Sequence, residues 1–395
     1  MTITFQARAA LFLCVCTTAT AQLQFDEVLS SAGNGTATFD GAGGLAVGSQ
    51  GTVFASGSES TNVFRIDPDG TITEIINSGG DGVHSVDSVS AVAVDSLGNV
   101  YVAEVSPPAE IFKIESGGAV SRFLDSTANG NGTLGNIGNL IIAPNDDLII
   151  PSPYDASLYR VTPEGTVTVL DSPPSGQPGF GYYDAAVADN GDIYVIGRST
   201  LRANDDAPGG PSFQDDIVGV FVNGVAPPQI AFNDSNVDRF SDFGGFQDIE
   251  IGVDGLVYVA RDTPVDVDTG PGAEFQALYR IDFTSNSLDY VLPGFRSASY
   301  AGLAIGGDGA TYLGGSGEPQ LPDSAFRVFR AGAGQTVSES DPPLFIAGET
   351  GLPLPEPSAI HDIVTLGDKL YVHSSGSVIE VTLGTTVFKD GFEAP

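Results

Sequence analysis

The chain has 395 residues and carries 50 Asp and Glu against 15 Lys and Arg, a formal net charge of −35. A field of that sign repels phosphate backbones, so the composition excludes nucleic acid as an expected partner. The only two cysteines and the only methionine lie within the first 21 residues. If that segment is removed, the remainder has no disulfide, no thiol nucleophile and no sulfur ligand for a metal.

Residues 1–21 are predicted to be a secretory signal peptide. Arg8 supplies a positive charge, the apolar stretch AALFLCVCTTAT follows, and Ala19-Thr20-Ala21 forms an A-x-A cleavage site before Gln22. The apolar stretch is too short to span a membrane, and no other segment reaches that length. We therefore expect a soluble, exported chain that begins at Gln22 and is either secreted or periplasmic.

The remainder of the chain repeats one unit seven times. Each unit has a short apolar strand, a turn rich in Gly, Asn and Asp, a second strand with an aromatic residue, and usually a third aromatic strand. Strand-like repeats at this spacing are typical of a β-propeller, in which each blade buries its faces against its neighbours. We predict an all-β fold, a single β-propeller over residues 22–384 with seven blades. Six blades are the alternative if the long fourth copy is wrongly divided. The copies begin at Gly43, Val89, Gly138, Tyr183, Gln247, Ala301 and His361.

The two ends of the repeat region complement each other. The seventh unit ends after SVIEVTLG without a fourth strand, whereas Leu23–Ser31 precedes the first blade and has no blade of its own. Pairing of these segments would close the ring and remove two exposed strand edges. We predict that the N-terminal strand completes the last blade. The C-terminal sequence TTVFKDGFEAP is the competing segment, and we assign residues 385–395 to a short tail.

Two repeat positions hold residues that serve the blades, because a functional site occurs once on a molecule and not seven times. Aromatic residues of the second strands are expected to pack between blades. They are Phe54, Tyr101, Tyr194, Tyr258, Tyr312 and Tyr371. The basic residue after each third-strand aromatic is expected to lay its stem along a neighbour and reach an Asp. These residues are Arg65, Lys113, Arg160, Arg280 and Arg330.

The copy Val89–Glu104 resembles NHL-type repeats and the related gluconolactonase and senescence-marker-like propellers, whose units read roughly P-x-G-I-A-V-D-x-x-G-N-V-Y-V-A-D. The resemblance covers about Leu23–Gly384 and implies a propeller. It also implies a metal-binding Glu in an E-G-P-x-W-type segment entering the first blade, and an Asn directly before the Gly of a first strand. Here the first segment reads DGAGGLAVG, without Glu or Trp, and the nearest Asn is Asn139, one position later.

Candidate site residues are those that interrupt the repeat. Loops between blades, and loops between second and third strands, emerge around the mouth of the central channel, and the latter are expanded in blades four to six. At the start of the first strand, some copies have Gly or Ala. Four copies instead have a polar residue, namely Asn139, Asp184, Asp248 and Asp362. We predict that these four cluster at one end of the channel, where their oxygens would suit Ca²⁺. The alternative is that each Asp caps the backbone of an adjacent blade.

Aromatic and histidine residues lie beside these positions. We predict ligand contacts at Tyr183, Phe246, Tyr300 and His361. Of the three histidines, His84 and His361 are candidate general bases, although spacing identifies no partner acid or nucleophile for either.

Three functions remain open. The chain is a module that binds a ligand or partner through loops at the channel mouth, a calcium-dependent hydrolase or lyase of the gluconolactonase-like group, or a structural domain of the envelope or extracellular matrix. The missing Glu and the scarcity of His favour binding over catalysis. We assign no cofactor other than Ca²⁺ as the candidate metal. We expect a monomer whose partner is a small molecule or an extracellular protein or glycan.

Overall fold

The computed structural model describes residues 23–104, 108–172, 180–199, 216–225, 228–233, 246–261, 276–293, 299–316, 327–337, 343–346 and 360–383. The predicted signal peptide and C-terminal tail lie outside these residues. The described chain forms seven four-stranded antiparallel sheets arranged as the blades of a propeller. The predicted all-β fold with seven blades is therefore confirmed, and the six-bladed alternative is wrong.

The first four blades follow one another in chain order. Blade one contains β2 (Leu45–Val47), β3 (Val53–Gly57), β4 (Asn62–Ile66) and β5 (Ile72–Ile76). Blade two contains β6 (Val89–Val94), β7 (Val100–Glu104), β8 (Ile111–Ile114) and β9 (Val120–Leu124). Blade three contains β10 (Ile141–Ile142), β11 (Leu148–Ser152), β12 (Ser157–Val161) and β13 (Val167–Asp171). Blade four contains β14 (Phe180–Val187), β15 (Ile193–Ser199), β16 (Asp216–Phe221) and β17 (Gln229–Asn233).

The last three blades keep the same order, and the final blade takes one strand from the N-terminus. Blade five contains β18 (Phe246–Ile251), β19 (Val257–Arg261), β20 (Gln276–Asp282) and β21 (Ser287–Pro293). Blade six contains β22 (Ser299–Ile305), β23 (Thr311–Ser316), β24 (Arg327–Ala331) and β25 (Phe345–Ile346). Blade seven contains β26 (Ile360–Leu366), β27 (Lys369–Ser374), β28 (Ser377–Thr382) and β1 (Gln24–Leu29). Single 3₁₀ turns occupy Ala128–Gly130 and Val222–Gly224.

The ring is closed by strand β1. It pairs antiparallel with β28, from Gln24 opposite Thr382 to Leu29 opposite Val378. Leu29 is 1% exposed, and the ring of Phe25 meets Phe345 of blade six edge-on at 5.0 Å. The predicted closure by the N-terminal segment is confirmed, and it leaves β28 paired on both sides.

The hydrophobic core lies at the junctions between blades. One cluster joins Phe54 and Val63 of blade one to Val92 and Val102 of blade two. Each fully buried side chain of this kind contributes about 1.5–3 kcal/mol of transfer free energy. The second-strand aromatics belong to such clusters and are buried, apart from the half-buried Tyr194, so their predicted packing role is confirmed.

The repeated basic residues also behave largely as predicted. The guanidinium groups of Arg65, Arg280 and Arg330 lie within 3.3 Å of an Asp carboxylate, and Arg160 lies 4.0 Å from one. Lys113 differs, because its Nζ donates to the carbonyl of Pro163 at 3.1 Å. The four Arg–Asp contacts lie within single blades, whereas Lys113 reaches from blade two to Pro163 of blade three.

Among the described residues, no helix combines the length and the apolar character that crossing a membrane requires.

Candidate functional site at the central channel

The innermost strands of the seven blades surround a cavity of about 390 Å³. Pockets of about 300–1,000 Å³ are typical of small-molecule sites. The lining comes from equivalent positions of β2, β6, β10, β14, β18, β22 and β26, so the repeat itself builds the wall. Positions that differ between blades therefore give the cavity its chemistry.

A β-bulge occurs at the same place in five of these inner strands. The register shifts across one extra residue in β6, β14, β18, β22 and β26. A bulge leaves that residue unpaired and changes the direction of the side chains beside it. The residue after the bulge occupies one level of the channel in each blade. With the equivalent positions of blades one and three, this level, which we name the mouth ring, comprises Gly44, Ala91, Asn139, Asp184, Asp248, Gly302 and Asp362.

The carboxylates of the mouth ring join neighbouring blades. Asp362 of blade seven accepts the N–H of Leu45 of blade one at 2.6 Å, and its second oxygen accepts the N–H of Ile363 at 2.7 Å. In the same way, Asp248 of blade five accepts the N–H of Leu303 of blade six at 2.8 Å. These contacts agree with the alternative interpretation, in which each Asp caps the backbone of an adjacent blade.

Asp184 extends this pattern to blades three and five. Its Oδ1 accepts from the side-chain amide of Asn139 at 2.9 Å and from the N–H of Ala185 at 2.8 Å. Its Oδ2 accepts the N–H of Ile249 at 3.3 Å. Hydrogen bonds thus cross from blade three to four, four to five, five to six and seven to one.

The junction between blades six and seven is too tight for such a link. A Cβ placed on Gly302 would lie 2.9 Å from the backbone nitrogen of Ile363. Real Cβ atoms do not approach a backbone that closely, so the blades meet here by direct contact. The structure brings together the four residues predicted to cluster, because all of them line the same cavity.

Every acidic group in the cavity has a raised pKa. Burial, followed by the nearby charge of Asp248, holds the pKa of Asp184 well above its usual range and raises that of Asp362 to about 8. Burial raises the pKa of Asp248 itself to about 6. No Lys, Arg or His stands among the described residues that line the cavity. The site is therefore a group of carboxyl groups without a cation of its own.

Glu250 is a cavity residue that the sequence analysis missed. It follows Asp248 by two positions in β18, so both side chains face the channel. Its side chain is exposed to the cavity space, while the surrounding protein and the charges of Asp248 and Asp362 raise its pKa to about 8. A signal was present in the sequence. Six inner-strand positions lie opposite the second-strand aromatics, and Ile141 lies opposite Ile149 at the equivalent place in blade three. Glu250 is the only charged residue at these seven positions, the others being Ala46, Ala93, Ile141, Ala186, Ala304 and Val364.

The predicted aromatic contacts do not form one surface. Tyr183 is the bulged residue of β14, and it is 37% exposed. Phe246 is instead 3% exposed and packs edge-on against Tyr279 inside the blade junction. The backbone of Tyr300 pairs with Gly315 in blade six, and its side chain lies outside the described part of the chain. The ligand role of these positions stays a prediction.

The histidines lie in three different settings. His361 is the bulged residue of β26; its Nε2 is 2.9 Å from Ser375 Oγ, and burial lowers its pKa. His84 lies between β5 and β6, where its Nδ1 is 2.9 Å from Asp81, and it does not line the cavity. His373 is fully buried, and its Nδ1 donates to the carbonyl of Gly43 at 2.7 Å.

The described side chains give the calcium prediction no support. No group of three or more His, Cys, Asp or Glu in the described ranges is arranged to hold a metal ion. The oxygens of the mouth-ring carboxylates accept backbone and amide N–H groups. Calcium at these residues stays a prediction.

Comparison with known proteins establishes the fold alone. No protein-family model and no curated protein matches the sequence. Among solved structures, the chain is similar to virginiamycin B lyase from Staphylococcus aureus, at 15% identity over 92% of this chain and 100% of that chain, with a TM-score of 0.60. It is also similar to YCF48 bound to D1 peptide, at 12% identity over 92% and 97% of the two chains and a TM-score of 0.57.

A gluconolactonase from Xanthomonas campestris is similar at 13% identity over 92% and 91% of the two chains, with a TM-score of 0.47. Virginiamycin B lyase and the peptide-bound YCF48 share one architecture, and a fold does not determine an activity. The predicted propeller agrees with them. Closer kinship with NHL or gluconolactonase-like propellers stays a prediction.

Proposed function

We propose that the protein is a binding module that takes a small organic cation, such as an aliphatic diamine, into its central channel. The observation that carries the proposal is Glu250, whose carboxyl group enters the cavity beside Asp248 and Asp362. Since no basic residue is present in the described lining, the ligand itself would supply the positive charge.

The mouth-ring carboxylates shape the wall of this site but are not expected to be the main contacts of the ligand. The oxygens of Asp184, Asp248 and Asp362 already accept N–H groups that hold adjacent blades together. Glu250 is the acid that projects deeper into the channel from the same strand as Asp248. An ammonium group donating to Glu250 would form a charge-assisted hydrogen bond, which is stronger than a neutral one.

The raised pKa values in the cavity predict how binding of a cation depends on pH. Glu250 and Asp362 have pKa values of about 8, so both hold protons at neutral pH for much of the time. A bound cation stabilises the ionised forms and releases those protons. Binding is therefore expected to be coupled to proton release and to strengthen as the pH rises towards and above 8.

Most of the expanded loops of blades four to six lie outside the described residues. YCF48, a structural neighbour, is bound to a peptide. We retain the proposal that these loops contact a ligand or partner, and that the protein acts after export.

Calorimetric titration with putrescine tests the proposal, with butane-1,4-diol as the neutral match of the same length. We expect putrescine to bind, to release protons in buffers of different ionisation enthalpy, and to bind at least about tenfold more weakly to Glu250→Gln. Asp189→Asn, which removes one charge from the exposed turn after β14, should leave the affinity unchanged.

The outcomes against the proposal are distinct. Equal binding of the diol would mean that the cavity recognises hydroxyl groups and not charge, and absence of binding by both would remove the channel as the site. Calcium is titrated in parallel. A calcium-induced rise in melting temperature that Asp248→Asn abolishes would support the metal instead, because a ligand of the native state stabilises it by mass action.

A further inference from the structure

A serine and a histidine of blade seven are in hydrogen-bond contact on the side of the blade where β26 begins. Ser375 Oγ lies 2.9 Å from His361 Nε2. Both side chains are partly accessible to solvent. His361 directly precedes Asp362 of the mouth ring, so this pair lies beside the cavity without lining it.

The backbone presents both side chains on irregular segments. His361 is the extra residue of the bulge in β26, and bulges are common beside active sites because they redirect side chains. Ser375 begins the two-residue turn between β27 and β28, which closes with Ser374 opposite Ser377. Gly376 completes that turn with a φ of +72°, a conformation that suits glycine.

The imidazole of His361 is placed to act as a base. The ring of His373 packs edge-on against it with centroids 5.7 Å apart, and His373 is itself fixed by the carbonyl of Gly43. Burial disfavours the charged imidazolium and so lowers the pKa of His361. A neutral imidazole with its proton on Nδ1 accepts a proton at Nε2, the atom that faces Ser375.

The surroundings of the pair contain polar atoms without protein partners. Among the described residues, seven buried side-chain nitrogen or oxygen atoms have no hydrogen-bond partner, and three of them are His373 Nε2, Ser374 Oγ and Ser377 Oγ. The three residues are at most 1% exposed. Buried polar groups of this kind are uncommon in folded proteins. Three of the seven lie within residues 373–377, beside Ser375.

We propose that Ser375 and His361 are a nucleophile and general base that hydrolyse small carboxylic esters at the rim of the channel. Ser375 Oγ forms a bond to the carbonyl carbon while His361 Nε2 takes its proton, and the leaving alcohol departs with that proton as the ester C–O bond breaks. Water then attacks the acyl-serine, giving its proton to Nε2, and the acid leaves as Ser375 regains a proton. Ester and water thus give acid and alcohol.

A fluorophosphonate probe, which forms a P–O bond with an activated serine as fluoride leaves, tests the nucleophile directly. We expect mass spectrometry of the labelled full chain to place the adduct on Ser375. Labelling and hydrolysis of p-nitrophenyl acetate should fall at least about 100-fold in Ser375→Ala and in His361→Gln. One matched variant should retain both: Ser96→Ala, which removes a hydroxyl bonded to Asp146.

A second measurement needs no substrate. In Ser375→Cys, a neighbouring imidazole base should make the introduced thiol react with iodoacetamide at a pH below the ordinary thiol pKa of about 8.5. Adding His361→Gln should restore ordinary reactivity.

An unlabelled Ser375 together with ordinary thiol reactivity would overturn the proposal. The proposed dyad does not rest on the proposed binding function. Titration of Ser375→Ala with putrescine tests binding in the channel separately from the dyad.

Discussion

At the scale of single residues, one carboxyl group can link two blades and take part in the proton equilibrium of a cavity at the same time. Asp362 shows both effects, because its oxygens accept the N–H groups of Leu45 and Ile363 while burial raises its pKa to about 8. The hydrogen bonds favour the ionised form, and burial opposes it more strongly. The mouth ring therefore contains acids whose protonation is tied to how the blades meet.

This linkage predicts that stability falls as the pH rises. The pKa of Asp362 is about 8 in the folded chain, against about 3.9 in an unfolded one. The folded state binds the proton more tightly, so the free energy of unfolding decreases between about pH 4 and about pH 8 and then levels off.

We expect the melting temperature of Asp362→Asn to decline less over that range. Asp189→Asn, which removes the same charge from an exposed turn, should decline as the unmodified chain does. Parallel curves for all three proteins would contradict the assignment.

At the scale of elements, the decisive strand is β1, the outermost strand of blade seven. Its residues pair with β28 over the range Gln24 to Leu29. Leu29 is 1% exposed. It shares a cluster with Val378 of blade seven, Phe64 of blade one and Phe39, which precedes blade one. The strand therefore contributes backbone pairing to one blade and side-chain packing to a junction.

Shortening the buried side chain of Leu29 should destabilise the fold. We expect Leu29→Ala to lower the free energy of unfolding by about 2–5 kcal/mol, the range for buried Leu-to-Ala changes that leave a cavity. Val83→Ala is the control, since Val83 is 82% exposed and surface changes of this kind stay within about 0.5 kcal/mol. Urea unfolding curves of the two variants would measure both free-energy changes. Equal midpoints for the two variants would show that β1 does not hold the ring closed.

Much of the element structure could be predicted from the sequence, because alternation and turn residues are local signals. The seven first strands, their Gly, Asn and Asp turns, and the spare N-terminal segment determine the blade number and the closure. The mouth ring could also be predicted, because Asn139, Asp184, Asp248 and Asp362 interrupt a repeated position. Their partners could not, since Asp362 bonds to Leu45, 317 positions away. The contact between His361 and Ser375 was missed because a bulge and a turn set that distance, and neither has a reliable residue pattern.

At the scale of the whole molecule, the excess of acidic residues acts on the fold as well as on partners. A formal charge of −35 on a chain of 395 residues repels itself in the compact state. Salt screens such repulsion, with a Debye length of about 10 Å at about 0.1 M ionic strength.

We accordingly expect the melting temperature to rise when NaCl is increased from about 0.01 M to about 0.5 M. KCl should give the same rise at equal ionic strength, because screening does not depend on the identity of a monovalent cation. A fall in melting temperature, or a rise confined to one of the two salts, would show that self-repulsion is not what limits stability.

The pairing of β1 with β28 also constrains how the chain can reach its native state. Gln24 meets Thr382 across nearly the full length of the described chain, and contacts of such sequence separation are slow to form because loop closure comes first. During synthesis the first six sheets can be completed in order, each from contiguous chain, whereas the seventh must wait for β28 to emerge. Until then β1 remains an unpaired strand, and the ring stays open at the place where its two ends will meet.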